Sequence, residues 1–435
     1  MDEKQIIKVS QQLQEVIGEE TLDALARQTG YCEKKRLLTP FRMVLTMISG
    51  LGGRPIQFLA DLQRQFNALF GTDVAYKPFH NRLAKASFPD FMEAVAKEAW
   101  KHWSNQILSA DAQELFSEFK HIIIQDGSSF AVKDSLMHVL PGRFYKVSPA
   151  AVELHASLDL LTGTPMWVNL TPDTESERTN QPGPDLLAGS LSLQDRGYFD
   201  IKRLAEVDAA GGFFIVRAGT SINPRIVSAQ WEDGTALPHL RGKKLKAIRF
   251  DQRGAPALDM VVEWGPKSKP IRHRLIMTWN PAHKQFQYLV TNLPASRYSA
   301  EIVREGYRLR WQIELLFKEW KSYANLHAFS TGKSAIAKGL IWASLIAAAL
   351  NRYMAHSTQL AAQVEISTQR AAMSAVHFVT TLMQAINSKC NRRIERAVES
   401  AMRLLAVNAK RAHPKRDRRT GRTSSGLLAV GVPQR

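Results

Sequence analysis

The sequence predicts an α/β protein: a mixed core of strands and helices that carries a mostly β insertion and has helical regions on both flanks. Three observations carry this reading. Residues 1–118 repeat apolar positions at three- and four-residue spacing without a strand run. A β-branched run, Ile122-Ile123-Ile124, then opens a series of short strands, and from Ser299 onward the periodicity is helical again.

Within the first region, Val44, Leu45 and Ile48 mark one helical face, and Phe91, Val95 and Ala99 another. Residues 72–83 read as a turn followed by a recognition helix that presents Lys77, His80, Asn81 and Arg82, a helix-turn-helix pattern suited to DNA. A helical domain that packs its own core and leaves these groups in solvent fits the same residues. The texture changes at Phe119, where a buried strand is expected to deliver Asp126 at its tip before Gly127 and Ser128. Strands over 152–160 and 165–170 flank the turn Leu161-Thr162-Gly163-Thr164. After the Pro/Gly-rich loop 180–184, a strand over 191–194 leads into Asp195, a helix spans 201–210 and stops at Gly211-Gly212, and a strand follows over 213–217. The order is a three-strand meander, then strand, helix, strand.

Residues 219–295 alternate over short segments such as 260–264 and 286–290 and are expected to form the β insertion. It includes a basic strip, Arg241, Lys243, Lys244, Lys246 and Arg249, that either follows a phosphate backbone or lies along a solvated strand edge. The expected division is a helical DNA-binding domain over 1–118, a mixed α/β domain over 119–325, a helical domain over 326–411 and a basic, disordered tail over 412–435. The apolar run 339–350 is shorter than the roughly 20 residues of a membrane span and reads as a buried core helix.

Charge points to the partner. Of a formal net charge of +18 on 435 residues, +15 lies in residues 297–435, with 23 Lys/Arg against 8 Asp/Glu. Such a surplus attracts a polyanion through its field and through counterion release, which makes nucleic acid the expected partner and gives no role to a membrane. Two distant cysteines, Cys32 and Cys390, exclude a disulfide framework or a cysteine zinc site and suit a reducing cytoplasm. The N-terminus lacks the apolar core of a secretory signal.

The chemistry concentrates in residues 307–321. On a continuous helix at about 100° per residue, Tyr307, Arg310, Glu314 and Lys321 fall within about 60° of arc. An amphipathic helix with an Arg310–Glu314 pair explains the face equally well when taken alone. The spacing Tyr-x2-Arg-x3-Glu-x6-Lys, however, resembles the signature of bacterial insertion-sequence DDE transposases, a cut-and-paste family. Two upstream blocks stand in the family's order: Gln125-Asp126-Gly127-Ser128 and Asp195-Arg196-Gly197-Tyr198. The segment Tyr288-Leu289-Val290-Thr291-Asn292-Leu293-Pro294 resembles the strand that leaves the family's β insertion, so the likeness covers roughly residues 120–325.

The resemblance implies a ribonuclease H-like catalytic core in which Asp126, Asp195 and Glu314 are the catalytic carboxylates and ligands of two Mg²⁺ ions, with Mn²⁺ able to substitute. Hard carboxylate oxygens suit such ions, which clamp attacking and leaving oxygens from about 3.5–4 Å apart. It also implies DNA contacts from Tyr307, Arg310 and Lys321, which otherwise orient Glu314 and its helix; Arg196 beside Asp195 has the same two readings, and the helical region adds Lys77 and Arg82. The expected activity is binding of terminal inverted repeats, cleavage at the element ends and transfer of 3′ ends to target DNA. A homodimer in a DNA-bridged complex, in the bacterial cytoplasm and on the nucleoid, belongs to the same expectation. The alternatives are a metal-dependent structure-selective nuclease and a noncatalytic DNA-binding regulator. His121, His155 and His283 lack partners at ligand spacing, and Trp264, Trp279 and Trp311 are either core residues or holders of a flipped base.

Overall fold

A computed structural model describes residues 1–32, 36–53, 56, 58–103, 115–248, 256–266, 268–281, 283–323 and 329–412. Arg249 and the tail from residue 413 lie outside them. The chain is mixed α/β, with one large mixed sheet and flanking helices.

Six helices come first: α1 (Glu3–Ile17), α2 (Glu19–Gln28), α3 (Pro40–Leu51), α4 (Leu59–Phe70), α5 (Tyr76–Leu83) and α6 (Phe88–His102). Local signals start several of them. Asp2 caps α1 by accepting from the Lys4 amide, and Thr39 caps α3 by accepting from the Arg42 amide with Pro40 in the first turn. The sheet then runs through β1 (Ile122–Ala131), β2 (Ala151–Asp159), β3 (Thr164–Pro172), β4 (Leu191–Gln194), α7 (Ile201–Ala209), β5 (Phe213–Ala218), β6 (Arg225–Trp231), β7 (Leu258–Trp264), β8 (Ile271–Asn280) and β9 (Gln285–Thr291). Helices close the chain: α8 (Ala300–Arg308), α9 (Trp311–Tyr323), α10 (Ser334–Ala362), α11 (Thr368–Ser374), α12 (Val379–Asn387) and α13 (Asn391–Asn408).

The strand order is β3-β2-β1-β4-β5-β9-β8-β7-β6. β1, β4 and β5 are parallel neighbours, whereas β2 and β3 extend one edge and β9 to β6 the other as antiparallel ladders. The expected β insertion therefore continues the main sheet through the β5–β9 pairing. Its seam is a buried bidentate pair. Arg274 Nε and Nη2 donate to Asp259 Oδ1 and Oδ2 at 2.8 and 2.6 Å, and Nη1 donates to the carbonyls of Leu293 and Tyr298 at 3.3 and 2.6 Å. One guanidinium thus joins β7 and β8 to the turn that enters α8. Arg274→Lys keeps the charge and loses the fork, so it should destabilise the protein by about 2 kcal/mol. A urea midpoint equal to that of the parent would contradict this.

The sheet separates two apolar cores. On one face, Ile124, Leu154, Ala156 and Leu193 join the core of the flanking helices, in which α10 packs on α3, α6 and α13. On the other, Phe214 and Val216 join the core of the insertion with Ile226, Met260 and Val262. Among the described helices, α10 is the one long and apolar enough to cross a membrane, and 78% of its most apolar window is buried inside the protein. The run expected over 339–350 is its centre.

Candidate active site

Register brings the two aspartates together. In the parallel β1–β4 pair, Gln125 stands opposite Gln194, so Asp126 and Asp195 are the next residues on adjacent strands. β4 ends at Gln194, because Asp195 turns the chain toward α7, but Asp126 is not the strand tip expected from the sequence: β1 continues to Ala131, held by its antiparallel ladder with β2, so Asp126 lies within β1 where the pairing with β4 stops. Alternation puts Asp126 on the face of Ile124, toward α9, which packs on β1.

Glu314 arrives in the first turn of α9. The continuous helix expected over 307–321 is not what forms: the chain breaks at Leu309 and Arg310, between α8 and α9. The amides of Leu309, Arg310, Gln312 and Ile313 each donate three residues back, to Gly306, Tyr307, Leu309 and Arg310. These tighter turns end one helix and start the next, and 3.6-residue periodicity cannot register such a break. Tyr307 thus belongs to α8 and Glu314 to α9, yet both face the aspartates.

Arg310, at the break, is the common partner. Its side chain is 12% exposed; Nη2 donates to Glu314 Oε1 at 2.5 Å, and Nη1 lies 3.5 Å from Asp126 Oδ2. Burial opposes its charge, but Tyr307, Glu314 and Asp195 more than offset this and hold its pKa above the ordinary guanidinium value. Tyr307 donates to Asp195 Oδ1 at 3.2 Å, and its hydroxyl pKa is driven up, first by burial and then by Asp195. Arg217, on β5, adds a second cation 4.0 Å from Asp195.

Asp126 is the perturbed acid. Burial raises its pKa to about 6, with Glu177 and Asp195 adding to the rise and the Gly127 amide and Arg310 opposing it. The unfolded chain therefore releases this proton first as pH rises from about 4 to 6, so the metal-free protein loses stability across that window. Above it, Asp126→Asn should gain on the order of 2–3 kcal/mol over the parent, from about two pKa units. Thermal midpoints of metal-free protein at pH 5 and pH 8 check this; a gap that does not widen with pH would refute it.

The other expected residues divide. Lys321 donates to the Ser129 carbonyl at 2.7 Å, on the same strand as Asp126, and burial lowers its pKa. Arg196 is exposed beside Asp195. Lys77 and Arg82 lie on α5, which follows α4 and a short turn, and are not part of the acidic cluster. Lys77 is exposed, but the Arg82 guanidinium sits over the Tyr31 ring at 4.4 Å and faces the helical core. Sequence reading missed Arg217, Glu153 and Glu177. Glu153 lies on buried β2, where burial first and Glu177 second raise its pKa to about 7. His121 pairs with Asp159 and His155 with Thr171; Trp311 is exposed, whereas Trp264 and Trp279 pack against Phe199 and Phe286.

Among the described residues, no three His, Cys, Asp or Glu side chains close on one point as a finished metal cage. The donor set nevertheless fits hard divalent ions, which take a few carboxylates and complete their shells with water and phosphate. The Arg310 guanidinium already places positive charge among all three acids.

Comparison with known proteins supplies the family. Residues 118–350 match the model of the transposase DDE domain, more than half of the chain. The transposase for insertion sequence element IS231F of Bacillus thuringiensis subsp. israelensis is 23% identical over 93% of this chain and 92% of its own length. The transposase for IS1151 of Clostridium perfringens is 23% identical over 73% and 74% of the two chains. The putative transposase InsL for IS186A of Escherichia coli K12 is 52% identical over 62 residues, 14% of this chain and 17% of that one. Aspartates on adjacent strands, a helix that answers them and a domain match over the same residues lead to one conclusion: the chain belongs to the DDE transposase family of insertion-sequence enzymes, which cleave DNA and transfer its strands.

Proposed function

We propose that this transposase binds the terminal inverted repeats of its own insertion sequence, cleaves at the element ends and transfers the 3′ ends to target DNA. The observation that carries the reading is the gathering of Asp126, Asp195 and Glu314 around Arg310, from the point where β1 and β4 part and from the start of one helix. Asp126, Asp195 and Glu314 would hold two Mg²⁺ ions, with Asp126 shared by both and Asp195 and Glu314 each completing one site, and Mn²⁺ would substitute. When bound, the ions supply polarisation of the attacking oxygen and stabilisation of the leaving one. Arg310 neutralises the acids in the free protein and turns to phosphate in the complex, where its planar fork suits two oxygens. Tyr307 holds Asp195, while Lys321 and Arg196 bring point charge to the DNA backbone beside the cut.

The strand order β3-β2-β1-β4-β5, with the first two antiparallel and the rest parallel, supports a ribonuclease H-like core over 119–325 with the insertion at 219–295. The helices over 1–118 read the DNA end, with Lys77 on α5 and Arg82 shaping that helix from inside. The helices over 326–411 and the basic tail over 412–435 grip the duplex by charge. Two copies act together across paired ends, in the cytoplasm and on the nucleoid.

The test is a paired-end substrate bearing the inverted repeats that border the gene, incubated with full-length protein and Mg²⁺. Nicks at the element ends followed by joined products are expected. Cleavage at structural junctions without joined products would favour the nuclease reading. End binding with no cleavage would favour the regulator.

A further inference from the structure

The loop after β3 lies across both aspartate strands, and its contacts are distributed in a telling way. Residues 173–181 touch the residue immediately before each aspartate and the chain two or three residues after it. Before Asp126, Gln125 donates through Nε2 to the Asn180 carbonyl at 2.9 Å. Before Asp195, Gln194 donates through Nε2 to Gln181 Oε1 at 3.2 Å and to Gln125 Oε1 at 3.0 Å. After Asp195, Arg178 Nε donates to the Gly197 carbonyl at 3.0 Å. Beyond Asp126, the Asp173 carboxylate accepts from the Ser129 hydroxyl and, at 2.8 Å, from the Arg143 amide.

Two glutamates complete the arrangement, and each is seated on a glycine. A Cβ at Gly127 would stand 2.7 Å from Glu153 Oε1, and a Cβ at Gly197 would stand 2.7 Å from Glu177 Oε2. Contacts below 3.0 Å force a shift, and because each clash is with the tip of a flexible side chain, a Cβ at either glycine would move the carboxylate off the backbone at little other cost. Burial and then the Glu177 charge raise the pKa of Glu153, which accepts from Arg143 Nη2 at 3.2 Å. The path runs from the backbone after Asp126, through Glu153 and Glu177, to the backbone after Asp195. It also gives the glycines of the Asp-Gly and Asp-Arg-Gly blocks a physical reason.

We propose that residues 173–181 are a clasp that fixes the spacing of Asp126 and Asp195, with Glu177 as its positioning residue. Glu177 need not touch substrate; it acts through the two aspartates, as outer-shell partners of metal ligands do, and loss of such partners lowers metal affinity about 10–100-fold. The inference rests on the reading of Asp126 and Asp195 as metal ligands.

The experiment is Mn²⁺ binding to the metal-free full-length protein, followed by electron paramagnetic resonance of the free ion, with thermal midpoints recorded in parallel. Glu177→Ala should raise the Mn²⁺ concentration for half-saturation by about tenfold. Glu177→Gln, which keeps the length of the side chain and gives it an amide that can donate to Glu153, should stay within about threefold of the parent. Gly197→Ala, which displaces the Glu177 carboxylate and leaves it in the chain, should reproduce Glu177→Ala. If Glu177→Ala lowers the thermal midpoint, Gly197→Ala decides alone. Parent-like Mn²⁺ binding by folded Glu177→Ala and Gly197→Ala, beside an Asp126→Asn control that has lost it, overturns the clasp alone. Parent-like binding by Asp126→Asn overturns the ligand reading and the clasp with it.

Discussion

Asp126→Asn is expected to reduce Mg²⁺-dependent end cleavage by about a thousandfold or more, equivalent to about 4 kcal/mol of transition-state stabilisation, while end binding persists. The substitution is nearly isosteric and removes one charge from the acid proposed to bridge both ions. Asp195→Asn and Glu314→Gln should match it, since each removes the carboxylate assigned to one ion. Binding persists because these acids repel DNA phosphates, and their loss removes repulsion along with metal. Gel-shift and cleavage assays on the same end duplex separate the two effects. Wild-type cleavage by any one of the three variants would remove that residue from the site.

Arg310→Ala is expected to lower cleavage by about a hundredfold and to lower the stability of the metal-free protein at pH 8. Both effects have one origin. Glu314 and Asp126 lose their shared cation, and Asp195 loses a nearby charge that its own Tyr307 bond does not replace. Arg310→Lys should recover part of the stability and less of the activity, because an ammonium supplies charge without a fork. In a double-mutant cycle with Glu314→Gln the losses should be clearly less than additive, as for residues that share one interaction. Strict additivity would mean that Arg310 acts on DNA alone.

These expectations depend on parts of the molecule that differ in how readable they are from sequence. The strand that carries Asp126 is legible because three isoleucines in a row have few other uses, but the tip expected there is not what forms: β1 runs on to Ala131 against β2, and only its pairing with β4 stops before Asp126. The pairing of Gln125 with Gln194 is not, since register is set by the whole sheet and not by either strand. The face shared by Tyr307, Arg310 and Glu314 is legible as a direction, but the break at Leu309 is hidden because apolar spacing runs through it. Arg82 looks like a solvent cation, yet it lies over Tyr31, 51 positions away in the chain, and only tertiary packing places it there. The 173–181 segment has no periodicity at all. Its order comes from hydrogen bonds to strands that precede and follow it, so its role becomes visible only in the folded chain.

The central claim is that Asp126, Asp195 and Glu314 hold the ions that drive the reaction. The most direct measurement replaces Mg²⁺ by Fe²⁺ in the DNA-bound protein, adds peroxide and ascorbate, and maps where the polypeptide is cut by short-lived oxidants formed at the metal. Cuts should cluster beside residues 126, 195 and 314, be suppressed by excess Mg²⁺ and be absent from Asp126→Asn. Cuts confined to other segments, or an unchanged pattern in Asp126→Asn, would contradict it.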